Sequence, residues 1–144
     1  MTPGAKVRDV MTTEVHGISE DSSVLTAAKA MADRRINSLV VWPTERDEPY
    51  GILTSSDVVD ALADGRDLEQ MRVAELCTSP LALVTPGVRV RDAARMMRRL
   101  NVRHLAVFNG KTIVGLVSNF DLVRAAVGIA GPQAAAEVRD ILVS

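Results

Sequence analysis

Hydrophobic and polar positions follow the same order twice along the chain, with strand-like and helix-like spacing alternating in each half. The apolar runs LVVW and HLAVF are typical of buried strands, and PYGILT and TIVGLVS are predicted to pair with them. EVHGI and LALVT are predicted as short strands, and SSDVVDALAD and NFDLVRAAVG as helices. Residues 23–34 and 89–100 also have helical spacing. In the second of these segments one apolar stripe is formed by Ala93, Met96, Met97 and Leu100. Each half is therefore predicted to run strand-helix-strand-strand-helix, which is an α+β arrangement.

Individual residues also correspond between the halves, which indicates an internal duplication. INSLVV corresponds to VRHLAV, 66 residues further on, and VRDVMT corresponds to VAELCT at the same distance. GILTSSD and GLVSNFD lie only 64 residues apart, so the first half has the longer connection between its last two strands. The second half carries Asn109-Gly110 in that connection, a strong signal for a tight hairpin.

These matches define two predicted domains, residues 5–64 and 70–128, each opening on a lead-in segment (5–12 and 70–78). Because a single copy of about 60 residues buries little surface, we expect the two copies to pack as one pseudo-symmetric domain. The remaining tail, residues 129–144, has the spacing of a short amphipathic helix that packs on its own domain or on a partner chain. Its apolar positions are Ala134, Val138, Ile141 and Leu142.

Composition narrows the class of protein. Aromatic residues make up only 3% of the chain, so the core must be aliphatic and no aromatic platform for nucleic-acid bases is expected. The net charge of −1 gives no general attraction to nucleic acid or to membranes. A single cysteine, Cys77, excludes an intrachain disulfide, and no apolar segment approaches membrane-spanning length. We therefore expect a cytoplasmic protein.

The repeated hydroxyl–acid pairs, Thr54 with Asp57 and Ser118 with Asp121, have two interpretations. They are typical of capping boxes, in which a hydroxyl and an acid satisfy backbone N–H groups at a helix start. The same geometry places a carboxylate and a hydroxyl where they could hold the two hydroxyls of a ribose, beside the positive end of a helix. Recurrence in both halves favours a ligand role without excluding capping.

The ordered set VRDVMTTEV, SVLTAAKAMADRRINSLVVW and GILTSSDVVDAL, present twice, resembles a tandem pair of CBS domains, the Bateman module. The resemblance covers about residues 5–127. It implies two clefts built from both copies, which bind adenosine-containing ligands such as AMP, ADP, ATP or S-adenosylmethionine and regulate a partner protein. It also implies a homodimer of two such modules.

The resemblance assigns roles to particular residues. Asp57 and Asp121 would hold ribose hydroxyls, helped by Thr54 and Ser118. Ser56 lies where some relatives add a hydroxyl contact, which its counterpart Phe120 cannot supply. The start of the second strand would line the base and reach toward phosphate; its residues are Ile36 and Asn37 in one copy and Val102, Arg103 and His104 in the other. The adenine would be flanked by Val15, His16, Leu81 and Ala82.

The two copies differ most where phosphate would bind. Arg103 and His104 form a basic pair, whereas their counterparts Asn37 and Ser38 are uncharged. We therefore predict that the Asp121 cleft takes phosphate better than the Asp57 cleft. No required cofactor and no metal site are expected, since the two histidines and Cys77 lack metal-ligand spacing.

The remaining sequence patterns are weaker evidence for a function. Gly110-Lys111-Thr112 resembles the end of a phosphate-binding loop, but Leu105 stands where that pattern needs glycine. No residues suggest a catalytic site, so a non-enzymatic module is predicted. A dimerisation scaffold with degenerate clefts remains an alternative. A nucleic-acid-associated regulator is another, using the arginine-rich segment 89–103. Its cations are Arg89, Arg91, Arg95, Arg98, Arg99 and Arg103, and most of them are predicted to form a solvated face.

Overall fold

The structure, a computed structural model, describes residues 4–128 and contains two compact units. The first unit comprises residues 16–81 and is called here the Asp57 unit. The second comprises residues 4–15 together with 82–128 and is called the Asp121 unit. Each unit holds one three-stranded sheet with its helices, which confirms the predicted α+β class.

The helices and strands alternate in the predicted order in both halves. In chain order they are α1 (Val7–Val10), β1 (Gly17–Ser19), α2 (Val24–Arg34), β2 (Ser38–Trp42), β3 (Gly51–Thr54), α3 (Ser55–Ala63), α4 (Val73–Leu76), β4 (Leu83–Val84), α5 (Val90–Leu100), β5 (His104–Phe108), β6 (Ile113–Ser118) and α6 (Asn119–Ala126). The short helices α1 and α4 lie inside the lead-in segments and are additions to the predicted set. Strand β4 is shorter than the predicted segment LALVT. Strand β1 is shorter than the predicted segment EVHGI, begins three residues later and ends one residue beyond it, at Ser19.

The two sheets have the same topology. In the Asp57 unit β1 runs parallel to β2 after the α2 crossover, and β2 pairs antiparallel with β3. In the Asp121 unit β4, β5 and β6 repeat this arrangement. The predicted hairpin between β5 and β6 is confirmed. Asn109 Oδ1 accepts hydrogen bonds from the backbone N–H groups of Lys111 and Thr112, both at 2.9 Å, and Gly110 has a φ of 98°.

The lead-in segments do not fold with the repeat that follows them in the chain. Thr12 exchanges two backbone hydrogen bonds with Leu116 of β6, both at 2.9 Å. Thr78 does the same with Ile52 of β3, at 2.8 and 2.9 Å. Each sheet therefore carries an added pairing from a segment distant in sequence. The predicted domain limits, 5–64 and 70–128, describe the sequence repeat and remain a prediction.

Each unit has its own aliphatic core. In the Asp57 unit it includes Leu39, Leu53 and Val73, none more than 1% exposed. The predicted stripe on α5 is confirmed for Ala93 and Met97, which are buried, and Met96 packs against the same core. Leu100 was placed wrongly on that stripe: its side chain is 46% exposed. It ends the helix, where the left-handed backbone of Asn101 turns the chain away (φ 54°).

The predicted helix in the tail, residues 129–144, lies outside the described residues. Among residues 4–128, no helix is both long enough and apolar enough to cross a membrane.

Candidate functional site

The start of α3 is a capping box formed by Thr54 and Asp57. The Asp57 backbone N–H donates to Thr54 Oγ1 at 3.4 Å, and Asp57 Oδ2 accepts from the Thr54 backbone N–H at 2.8 Å. The Thr54 hydroxyl also donates to Asp57 Oδ2, at 3.0 Å. The capping interpretation of this pair is therefore confirmed.

The start of α6 repeats the arrangement with Ser118 and Asp121. The Asp121 backbone N–H donates to Ser118 Oγ at 3.1 Å, and the Ser118 backbone N–H donates to Asp121 Oδ2 at 2.8 Å. In both boxes one carboxylate oxygen serves the cap. A ligand hydroxyl would have to be accepted by the second oxygen or by the lone pairs that the cap leaves over.

The second oxygen differs between the two units. Asp57 is half-buried, and within residues 4–128 its Oδ1 accepts no hydrogen bond. Asp121 is only 5% exposed, and its Oδ1 is bound by Nη2 of Arg124. Oδ1 of Asp57 is thus available to accept a hydrogen bond, whereas Oδ1 of Asp121 is occupied by the ion pair with Arg124.

Arg124 pairs with Asp121, one of the predicted site residues, and the sequence pattern did not single it out. Its side chain is 11% exposed, and its guanidinium carbon lies 5.2 Å from the ring centroid of Phe120. Its Nε is buried and has no hydrogen-bond partner among the described residues. An acid and an arginine three residues apart on a helix form an ordinary surface pair by pattern alone. A comparison of the two copies does distinguish this position, because Arg124 in the second copy corresponds to Asp60 in the first, a change from a basic to an acidic residue.

The starts of β2 and β5 lie beside these helix starts. The Ser55 backbone N–H donates to the Asn37 carbonyl at 2.9 Å, and the Asn119 backbone N–H donates to the Arg103 carbonyl at 2.9 Å. His104 is the cross-strand neighbour of Ser118. The side chains of Asn37 and Arg103 are exposed. Ile36 and Val102 are half-buried and pack against the cores of their units. Their predicted contact with a ligand base would use the part of each side chain that stays exposed.

The four residues predicted to flank an adenine are divided between the units. His16 and Leu81 belong to the Asp57 unit, and Val15 and Ala82 to the Asp121 unit. The His16 carbonyl accepts from the Val40 N–H at 3.0 Å, and the Ala82 carbonyl accepts from the Ala106 N–H at 2.8 Å. Leu81 is buried, with 5% of its surface exposed. Ser56 is exposed in the first turn of α3. The ligand roles of these residues stay predictions.

Cys77 is half-buried against the core of the Asp57 unit. Burial raises the pKa of its thiol, and the nearby negative charges of Glu20 and Asp57 raise it further. A thiol with a raised pKa is a weak nucleophile and a weak metal ligand at neutral pH. Within residues 4–128, His, Cys, Asp and Glu side chains form no cluster able to hold a metal ion.

The comparisons with known proteins agree with this architecture. The CBS domain family matches the chain twice, over residues 7–64 and 73–128, and the chain belongs to that family. CBS domain-containing protein CBSX3, mitochondrial, from Arabidopsis thaliana is 33% identical over 111 residues. The match covers 74% of this chain and 54% of that relative, so the chain spans about half of the relative's length.

Solved structures extend the comparison to assembly and ligand. The hexameric CBS-CP12 protein from bloom-forming cyanobacteria aligns with a TM-score of 0.76 at 33% identity, covering 82% of this chain and 69% of that one. The CBS domain protein PAE2072 from Pyrobaculum aerophilum, complexed with AMP, aligns with a TM-score of 0.64 at 26% identity. That match covers 74% of this chain and 82% of the other. This chain is thus a pair of CBS domains of the kind found in regulatory proteins.

Proposed function

We propose that this chain is a ligand-sensing regulatory module that binds an adenosine-containing molecule and modulates a partner protein. The observation that carries the proposal is the carboxylate of Asp57 at the start of α3, with Oδ1 left over after capping. A carboxylate that accepts from both hydroxyls of a ribose needs such spare acceptor capacity. The AMP bound to the Pyrobaculum relative supports the ligand class.

The regulatory role follows from the type of site. The capping boxes offer hydrogen-bond acceptors and a helix terminus, which bind a ligand without activating a nucleophile. A ligand regulates only if it binds one conformation of the module better than another. We therefore infer a binding module and not an enzyme, with an adenine nucleotide or S-adenosylmethionine as a regulatory ligand and not as a required cofactor.

We also propose that the chain forms a homodimer. Helix α3 exposes Val59 and Leu62, which are 59% and 58% exposed. Helix α6 exposes Phe120 and Val123, and Val127 directly after the helix is also exposed, each by more than half. Apolar side chains grouped on one helix in this way are typical of surfaces covered in an assembly, and symmetric dimers are the commonest one.

Thermal unfolding in the presence of AMP, ATP and S-adenosylmethionine tests the ligand. A ligand present at 100 times its dissociation constant stabilises the folded state by about 2.7 kcal/mol. We expect such a shift for at least one of the three, and guanosine nucleotides serve as the matched control. Absence of any shift would favour the scaffold interpretation.

The arginine-rich face of α5 supports one further candidate, a nucleic-acid-associated regulator. Arg91, Arg95, Arg98 and Arg99 are all exposed. Nη1 of Arg95 lies 3.7 Å from Oδ1 of Asp92, and such an exposed ion pair contributes little to stability. Binding to DNA or RNA that weakens steeply with salt would support this candidate, because contacts to phosphates release counterions. Its absence would remove it.

A further inference from the structure

We propose that the two copies bind ribose unequally: Asp57 accepts the ribose hydroxyls, whereas Arg124 keeps Asp121 closed to them. The inference rests on the proposed function and deepens it. It assigns the ribose-binding role to one copy and makes Arg124 a specificity-determining residue. Its basis is the difference between two carboxylates that occupy equivalent positions in the repeat.

The acceptor count differs between the two carboxylates. A carboxylate offers about four lone-pair positions on two oxygens. At Asp57, both bonds from Thr54 fall on Oδ2, and no described residue donates to Oδ1. A pair of adjacent hydroxyls can therefore reach an unused oxygen without displacing any hydrogen bond of the protein.

At Asp121, a ligand hydroxyl would have to compete with a cation. Arg124 donates to Oδ1 from a position where both side chains are almost fully buried, 11% and 6% exposed. Displacing the guanidinium with neutral hydroxyls would leave a buried positive charge without its partner, which is strongly unfavourable. Arg124 is ion-paired with the Asp121 carboxylate, and its Nε has no hydrogen-bond partner among the described residues.

The first copy cannot form the same ion pair. Asp60 occupies the position of Arg124, and its side chain is exposed. Helix α3 contains no basic residue between Ser55 and Ala63. Ser56 likewise replaces Phe120, whose ring lies against the Arg124 guanidinium. The Asp57 carboxylate therefore has no cationic neighbour on its own helix to hold it closed.

Two uncharged residues at the start of β2 also define the ligand class. Asn37 and Ser38 stand where the second copy has Arg103 and His104. The Asp57 carboxylate should therefore recognise the ribonucleoside part of a ligand, independently of any phosphate. Adenosine is the appropriate probe, because it contains the ribose diol and lacks phosphate.

Calorimetric titration with adenosine tests the inference. We expect one site per chain in the natural protein, and at least tenfold weaker binding of 2′-deoxyadenosine because one hydroxyl is missing. Asp57→Asn should weaken adenosine binding at least tenfold, whereas Asp121→Asn should change it less than twofold. Arg124→Gln should add a second adenosine site, and urea unfolding curves establish that this variant is folded.

A second test introduces an arginine into the first copy, at the position that corresponds to Arg124. Asp60→Arg should place a guanidinium beside Asp57 and weaken adenosine binding at least tenfold. The matched control is Asp64→Arg, which makes the same charge change one turn further along the chain, at the exposed end of α3. The control should change the dissociation constant less than twofold.

Three results would overturn the inference alone: equal losses from Asp57→Asn and Asp121→Asn, equal effects of Asp60→Arg and Asp64→Arg, or two adenosine sites in the natural protein. A different result would overturn the proposed function together with this inference, namely that neither adenosine, AMP, ATP nor S-adenosylmethionine binds the natural protein. AMP binding without adenosine binding would show that phosphate dominates recognition and would overturn the inference while keeping the function.

Discussion

At the scale of single residues, the glycine that opens each GILT-like motif is explained by a close approach of the backbone. A Cβ atom built on Gly51 would lie 2.9 Å from the carbonyl oxygen of Thr78 and 3.1 Å from Sγ of Cys77. On Gly115 it would lie 2.5 Å from Sδ of Met11 and 3.1 Å from the Thr12 carbonyl oxygen. Glycine recurs because the lead-in segment passes directly over it in both units.

We therefore predict that Gly51→Ala destabilises the protein by about 1–3 kcal/mol, the usual cost of overpacking. Gly115→Ala should cost less, because its nearest neighbour is a flexible methionine side chain that can move. Urea unfolding measures both. The control is Gly87→Ala, where the nearest atom to an added Cβ is an arginine nitrogen 3.9 Å away. A loss from Gly51→Ala no larger than that of the control would contradict the explanation.

At the scale of elements, Glu20, the residue after β1, binds the loop between β2 and β3 through two hydrogen bonds from Thr44. Glu20 Oε1 accepts from the backbone N–H of Thr44 at 2.9 Å and from its hydroxyl at 2.7 Å. These two hydrogen bonds lower the pKa of Glu20 below its ordinary value of 4.5. The tether therefore contributes stability above pH 4.5, and this contribution is lost as the pH falls through the folded-state pKa.

An NMR titration of the Glu20 carboxyl should accordingly show a midpoint below 4.5. Thr44→Val removes the hydroxyl but keeps the backbone N–H, so it should raise the midpoint part of the way. Thr44→Ser keeps both donors and should leave the midpoint unchanged. Identical midpoints in the Val and Ser variants would show that the hydroxyl does not stabilise the charged acid.

At this scale, the sequence predicts the elements that depend on neighbouring residues and misses the contacts between residues far apart in the chain. Helices α2 and α5 and strands β2 and β5 follow from spacing within a dozen residues, and both capping boxes from a four-residue pattern. The pairing of Thr12 with β6 joins segments about a hundred residues apart, which no local period encodes. The sequence also does not predict that the Asp121–Arg124 pair is buried, because an acid and an arginine at the same spacing on an exposed helix face form a solvated pair.

At the scale of the whole molecule, we predict that the exposed apolar residues of α3 support self-association. Leu62→Asp should shift the assembly toward monomer, since a charge would be buried without a partner in the interface. The control is Leu100→Asp, the same change at a side chain 46% exposed at the end of α5. Sedimentation equilibrium measures the difference, and equal effects of the two substitutions would contradict an interface at α3.

The exchange of lead-in segments sets the order in which the units can be completed during synthesis. The Asp57 unit is one continuous stretch, residues 16–81, so all of it has been synthesised before β6 is translated. The Asp121 unit must wait, because Val7 and Val10 belong to a core that also needs Val117 and Leu122. Helix α1 is therefore synthesised before the Asp57 unit, but Val7 and Val10 lack the part of their core that Val117 and Leu122 supply until translation has passed Leu122.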